Sequence, residues 1–133
     1  MVRESPKPKD YLDTSPFWEG ARTHRLMLQF CRDTGRFQHP PRPVSQYSGS
    51  RNLDWRQACG RGKIFSWITQ SASRPPLFPR SPLVSVLVDL EEEVRVLSWL
   101  TGVENREIVR GRAVELDWQP LVDGRIWPAF RIV

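Results

Sequence analysis

Long apolar runs, cysteine and histidine are what this chain lacks. Nowhere in its 133 residues do about 18 apolar side chains follow one another, which excludes a membrane-spanning helix. The stretch from Met1 to Asp10 is polar, with no apolar signal core, so a soluble, cytoplasmic protein is expected. Two cysteines, Cys31 and Cys59, are too few for a disulfide framework, and Cys59 is expected as a small core residue. Two histidines leave little for acid–base work: His24 precedes a strand and His39 stands before two prolines, both positions suited to surface or structural roles. Lysine is scarce too, since Arg supplies 17 of the 20 basic residues. An Arg surplus suits phosphate, nucleic acid or a nucleotide-bearing ligand such as coenzyme A, but codon bias gives the same count. Against a basic stripe, residues 1 to 56 carry 10 basic and 6 acidic groups and residues 57 to 133 carry 10 and 9, so the net charge of +5 is dispersed.

What is present is turn-forming and aromatic. Twelve Pro and eight Gly, with six Trp and six Phe, predict many short strands around an aromatic-rich core rather than a helix bundle. Residues 1–14 lack periodicity and are read as a mobile arm or an extended docking segment. Ser15-Pro16-Phe17-Trp18-Glu19 predicts a short helix with Ser15 as cap and Pro16 at its first position. Phe17 and Trp18 are adjacent and point apart, so one of them is available to a partner; the alternative is that both clamp the helix onto the ribbon.

Two matching turns come next, Cys31-Arg32-Asp33-Thr34-Gly35 and Ser45-Gln46-Tyr47-Ser48-Gly49. Their spacing is that of a zinc ribbon in which three of four sulfurs have become hydroxyls: positions 31, 34, 45 and 48 hold Cys31, Thr34, Ser45 and Ser48. Hydroxyls stay protonated near neutral pH and ligate zinc poorly, so zinc is not expected and a metal-free ribbon is predicted. Its strands are Arg25 to Cys31, an extended return from Arg36 to Pro43, and Leu53 to Ala58 with Trp55.

From Lys63 five strands are predicted: Lys63 to Gln70, Leu83 to Leu90, Val94 to Thr101, Ala113 to Trp118 and Ile126 to Ile132. Val84, Val86, Val88 and Leu90 share one face, as do Val94, Val96, Ser98 and Leu100, with a hairpin at Glu91-Glu92-Glu93. Glu104 to Arg110 is expected to form one or two helical turns, and the set matches a five-stranded OB-type Greek-key barrel. The predicted architecture is mainly β: an N-terminal helix plus a rubredoxin-like ribbon over 15–59, then an OB-fold over 60–133. The Pro-rich segment from Ser71 to Pro82 links the first two barrel strands. In it Phe78 is expected as an apolar anchor, with Arg74 and Arg80 as clamps for phosphate or carboxylate.

The marks Pro16-Phe17-Trp18-Glu19-Gly20, Leu26 to Cys31, Pro40-Pro41-Arg42-Pro43, Gly60-Arg61-Gly62-Lys63-Ile64-Phe65-Ser66-Trp67, Val84 to Leu90 and Trp127-Pro128-Ala129-Phe130-Arg131 occur in this order. Over residues 15 to 131 the chain resembles the acyl-CoA-associated accessory proteins that join a rubredoxin-like zinc ribbon to an OB-fold. It departs from them at the four ligand positions. The resemblance implies a non-catalytic subunit of a thiolase-superfamily enzyme: a retro-aldolase, thiolase or acyltransferase, with steroid side-chain degradation as one setting. It implies a thiolase-like, lipid-transfer-protein-type catalytic partner, with a MaoC-like hydratase as a further one, and a CoA thioester held mainly by the partner. The residues themselves offer no catalytic set, no metal ligands and no membrane segment. The rival from another class is an OB-fold that binds single-stranded nucleic acid through Trp67, Trp99, Trp118 or Trp127. It is disfavoured because Trp67 and Trp99 lie on strands that must also build the core.

Overall fold

Pro16 sets the start of α1 (Ser15–Arg22): its fixed φ suits the first turn of a helix, where its missing N–H breaks no ladder bond. The computed structural model describes residues 13–70, 83–103 and 106–133. The predicted mobile arm therefore lies almost wholly outside the described residues. The helix cap is Thr14, one residue before the predicted Ser15, and its carbonyl accepts the N–H groups of Phe17 and Trp18 at 3.0 and 3.3 Å. Phe17, Gly20 and Ala21 form the buried face.

The ribbon is a three-stranded antiparallel sheet in the order β2-β1-β3, built from β1 (Met27–Cys31), β2 (Arg36–Gln38) and β3 (Leu53–Gln57). The expected return strand to Pro43 stops at Gln38. Its continuation is fixed instead by two buried amides: Gln29 donates to the Arg42 carbonyl at 2.9 Å and accepts the Arg42 N–H at 2.8 Å. Gln38 donates to Gln29 at 2.7 Å and accepts the Gln46 N–H at 2.8 Å. Side-chain amides thus supply the pairing that prolines cannot.

The barrel closes in the order β4-β5-β6-β8-β7, from β4 (Arg61–Gln70), β5 (Leu83–Leu90), β6 (Arg95–Thr101), β7 (Ala113–Pro120) and β8 (Ile126–Ile132). All neighbours are antiparallel except β6 and β8, which pair in parallel through Leu100–Phe130 and Thr101–Arg131. A bulge at Phe65 lets the long strand β4 bend from its partner β7 onto β5, as closing so small a barrel requires. At the entry, a side chain on Gly62 would sit 2.5 Å from the Asp89 carbonyl oxygen, so the two strands meet only because Gly62 has none.

The predicted faces hold. Val84, Val86, Val88 and Leu90 on β5, with Val96 and Leu100 on β6, point inward and meet Ile64, Val114, Phe130 and Ile132. Each such side chain contributes roughly 1.5–3 kcal/mol on burial. Phe17, Leu26, Leu28 and Ala58 belong to the same apolar cluster, so helix, ribbon and barrel share one core.

Three expectations need correction. The described residues 106–110 are not helical, because the local backbone is spent elsewhere. Just beyond them, Gly111 donates to the Ile64 carbonyl at 2.8 Å and Ile64 to the Arg112 carbonyl at 3.0 Å, and the Arg112 guanidinium donates back to the Glu107 carbonyl at 2.9 Å. Cys59 is exposed, not a core residue: it lies just before β4 against the acidic hairpin, its N–H donating to Glu92 at 2.9 Å and its thiol to Glu91 at 3.2 Å. Trp67, expected to build the core, is 38% exposed near the end of β4, whereas Trp99 is buried at 6%.

The ribbon knuckles and a candidate docking face

The two turns form as matched knuckles. Gly35 and Gly49 each donate back to the first residue of their turn, to Cys31 O at 2.8 Å and Ser45 O at 2.9 Å, at φ values of +68° and +74° that glycine tolerates best. This brings the four ligand-spaced positions together. Cys31 and Ser45 are buried, and the Ser45 hydroxyl donates to the Cys31 sulfur at 3.0 Å while accepting the N–H groups of Tyr47 and Ser48, both at 3.1 Å. Ser48 Oγ stands 3.8 Å from the sulfur. Hydrogen bonds from Ser45 and then Thr34 pull the Cys31 thiol down to about 7, against burial that acts the other way.

Sequence reasoning missed the residue that ties the knuckles together. Asp33, in the first knuckle, accepts the Ser48 hydroxyl at 2.9 Å, the Ser50 hydroxyl at 2.5 Å and the Asn52 amide at 2.7 Å, all from the second knuckle and the link from it to β3. These donors, Ser50 foremost, hold its carboxyl below the usual range. The signal in the sequence was a lone Asp facing a Ser-x-Ser-x-Asn run fifteen to nineteen positions away, which no local pattern connects.

Above the barrel the aromatic residues gather. Phe17 and Trp18 both reach Trp127 on β8, with ring centroids 5.9 and 5.7 Å apart, and Trp127 stacks on Trp99 at 6.1 Å. The Trp127 indole donates to Ser98 at 3.0 Å, and Ser98 donates to the Pro128 carbonyl at 2.6 Å. Adjacent residues thus share one aromatic cluster, because the helix lies across β8 with Trp127 between their rings, and the clamp is onto the barrel as well as the ribbon. Phe17 is buried at 8%, while Trp18 stays half-buried, its ring face covered by the Arg125 guanidinium at 4.8 Å. Of this pair, only Trp18 keeps partial exposure.

His39 lies beside Phe17, at 6.2 Å between rings, and burial lowers its imidazole to about 4, so it is neutral near pH 7. It also lines a groove of about 720 Å³ with Pro40, Leu83, Leu97, Trp99 and Trp127. Gln70 and Leu83, the last and first described residues of β4 and β5, are part of the same wall. Leu97 and, on β4, Ile68 are exposed at 65% and 62%, so this side of the barrel presents apolar surface. Arg74, Phe78 and Arg80 fall outside the described residues.

The titratable groups make no catalytic pair among the described residues. His24 is stacked on Trp118 at 5.5 Å between rings, the half-buried His39 imidazole is lowered by desolvation, and the exposed Cys59 thiol is pushed up by partial desolvation and the carboxylates of Glu91 and Glu92. No three His, Cys, Asp or Glu side chains of the described residues converge as metal ligands. No described helix is long and apolar enough to cross a membrane.

Comparison with known proteins agrees with this architecture. Residues 18–54 match the ChsH2 rubredoxin-like zinc ribbon domain and residues 55–119 the ChsH2 C-terminal OB-fold domain. A solved structure described as an Ltp2-ChsH2(DUF35) aldolase contains a chain 32% identical to this one. It superposes with a TM-score of 0.85 over 95% of this chain and 98% of that one. A DUF35 domain-containing scaffold protein of Pyrococcus furiosus is 36% identical over 79% of this chain and 77% of its own length. The 3-oxo-4,17-pregnadiene-20-carboxyl-CoA hydratase alpha subunit of Mycobacterium tuberculosis is 31% identical over 91% of this chain. A probable enoyl-CoA hydratase alpha subunit of Thermomonospora curvata is 32% identical over 95%. This chain spans about two fifths of the length of those two hydratase subunits, 38% and 39%. With both domains matched in order and the fold shared along its length, the chain belongs to the ChsH2/DUF35 family of zinc-ribbon and OB-fold proteins.

Proposed function

We propose that this chain is a non-catalytic subunit that docks onto a thiolase-superfamily enzyme and orders its acyl-CoA site, the bond-making or bond-breaking chemistry belonging to the partner. The observation that carries this reading is the end-to-end likeness to the ChsH2(DUF35) chain of an Ltp2-ChsH2 aldolase. The residue inventory supports it: His24 is stacked on Trp118, the His39 imidazole and the Cys59 thiol are shifted away from reactivity, and the lowered Cys31 thiol is buried in its knuckle against Ser45 with no histidine beside it. A retro-aldol cleavage of a steroid side chain held as a CoA thioester is the favoured reaction of the complex, in a cytoplasmic setting. Relatives named as hydratase alpha subunits support a MaoC-like hydratase as a further partner. The CoA thioester is held mainly by the partner, and this chain contributes contacts from the groove side. Phe78 would anchor to the partner, and Arg74 and Arg80 would meet phosphate or carboxylate, with Trp18, backed by Phe17, as a second contact.

The test is co-expression with an Ltp2-type thiolase-like subunit, followed by size-exclusion chromatography and a cleavage assay on a steroid-like β-hydroxyacyl-CoA. Co-elution, with activity that requires both chains, is expected. Turnover by this chain alone, or separate elution with activity unaffected by its addition, would overturn the proposal.

A further inference from the structure

The family's ribbon is named for zinc, and the donors at its four positions in this chain do not fit the ion. A tetrahedral site with one thiolate at about 2.3 Å and oxygen at about 2.0–2.2 Å sets sulfur and oxygen roughly 3.5 Å apart. Ser45 Oγ is 3.0 Å from Cys31 Sγ, a hydrogen-bond contact tighter than that edge. Its capacity is also filled, with its proton on the sulfur and the Tyr47 and Ser48 amides on its lone pairs. Ser48 Oγ gives its proton to Asp33. Neither hydroxyl is free to lose a proton and bind a dication.

We propose that this ribbon dispenses with zinc, and that the Asp33 carboxylate, accepting hydrogen bonds from Ser48, Ser50 and Asn52, cross-links the knuckles in the ion's place. The charge distribution follows the same logic. A zinc ion draws four ligands inward by being the one cation among soft donors. Here one anion gathers three neutral donors, and charge-assisted bonds of this kind are about twice as strong as neutral ones. The Arg32 N–H to the Asn52 carbonyl at 3.0 Å and the Ser45 N–H to the Ser50 carbonyl at 2.8 Å hold the donors in place from the backbone. The turn geometry of a metal site is therefore retained with its chemistry replaced: 3.8 Å from Cys31 Sγ to Ser48 Oγ is close to the spacing of two sulfurs on one zinc, about 3.8 Å from the same bond length. This inference stands apart from the reading of the chain as a partner subunit, and its tests need no partner.

The full chain, expressed in zinc-supplemented medium, is expected to contain less than about 0.1 zinc per molecule, with a melting temperature that a chelator leaves unchanged. A chain in which Thr34→Cys, Ser45→Cys and Ser48→Cys are combined is expected to bind Co2+ with the absorption bands of a tetrahedral thiolate site, at least about 100-fold tighter than the parent. Asp33→Ala is expected to speed amide hydrogen exchange at Gly35 and Gly49 by about threefold or more while leaving Val88 in the barrel unchanged. Stoichiometric zinc in the parent, lost on Cys31→Ser, would overturn the proposal. So would unchanged exchange in the Asp33 variant. Failure of the triple variant to bind Co2+ would overturn the claim that the geometry survives.

Discussion

Lowering the pH from 7.5 toward 4 is expected to destabilise this fold through His39 before its carboxylates matter. The imidazole lies between α1 and the barrel, in a pocket it shares with Phe17, Leu26, Val96, Trp127 and Phe130, and burial lowers it from 6.5 to about 4. In the unfolded chain it takes up a proton as the pH falls below about 6.5, whereas in the folded chain it resists until about 4. Between those values the unfolded state binds more protons, so stability falls as pH falls. The loss is about 2 kcal/mol by pH 5 and about 3 kcal/mol once the lower value is reached, at 1.36 kcal/mol per unit of pKa. With a urea m-value of about 2 kcal/mol/M, the denaturation midpoint moves down by about 1 M between pH 7.5 and 5. Tryptophan fluorescence reports the transition, since Trp99 and Trp127 lie in the cluster that melts. The control is His39→Phe, which keeps an aromatic ring and removes the titration. Its midpoint should fall slightly as the lowered Cys31 thiol takes up its proton near pH 7, stay nearly flat from about pH 6.5 to 5, and fall again only at lower pH, where Asp33 and Glu91, both held below their usual range, take up protons. Equal slopes for the two proteins between pH 7 and 5 would refute the assignment.

Other expectations rest on the same geometry. Phe130→Ala, at 1% exposure in the centre of the barrel, should cost about 3–5 kcal/mol by urea denaturation; less than about 1 kcal/mol would mean that the core is not built as described. Phe78→Ala should weaken association with the thiolase-like subunit at least about tenfold in a binding titration while leaving the thermal midpoint of the isolated chain unchanged, and unaltered affinity would remove residues 71–82 from the interface. Oligonucleotides should bind weakly and without a stacking signature, because Phe65, Phe30, Tyr47 and Trp18 each lie under one of the chain's own guanidinium groups at 3.4 to 4.8 Å. A sub-micromolar, salt-dependent complex with quenched tryptophan fluorescence would contradict this.

The barrel strands were legible because period-two alternation is a local property. Val84, Val86, Val88 and Leu90 can share a face only if the backbone is extended, and their partners are then set by the short hairpin at Glu91 to Glu93. The knuckles were legible for a similar reason, a glycine at a fixed offset from a polar turn residue. The residues misplaced by the sequence were those whose environment comes from distant segments. Cys59 reads as a small apolar residue until the acidic hairpin, more than thirty positions on, is folded against it. The stretch before Gly111 has helical character on its own, yet β4 pins the chain just beyond it at Gly111 and Arg112, and the Arg112 side chain takes the Glu107 carbonyl.

By itself, then, the sequence determined a ribbon followed by a five-stranded barrel and the replacement of three sulfurs by hydroxyls, because hydropathy period, turn residues and side-chain chemistry are written residue by residue. Tertiary structure alone decided which residue ties the two knuckles together, which aromatic rings remain exposed and that His39 is held neutral. Asp33 reaches Asn52, Phe17 reaches Trp127 and His39 enters its pocket only after the chain has closed, and hydrogen-bond reach and desolvation depend on distance in space rather than along the sequence.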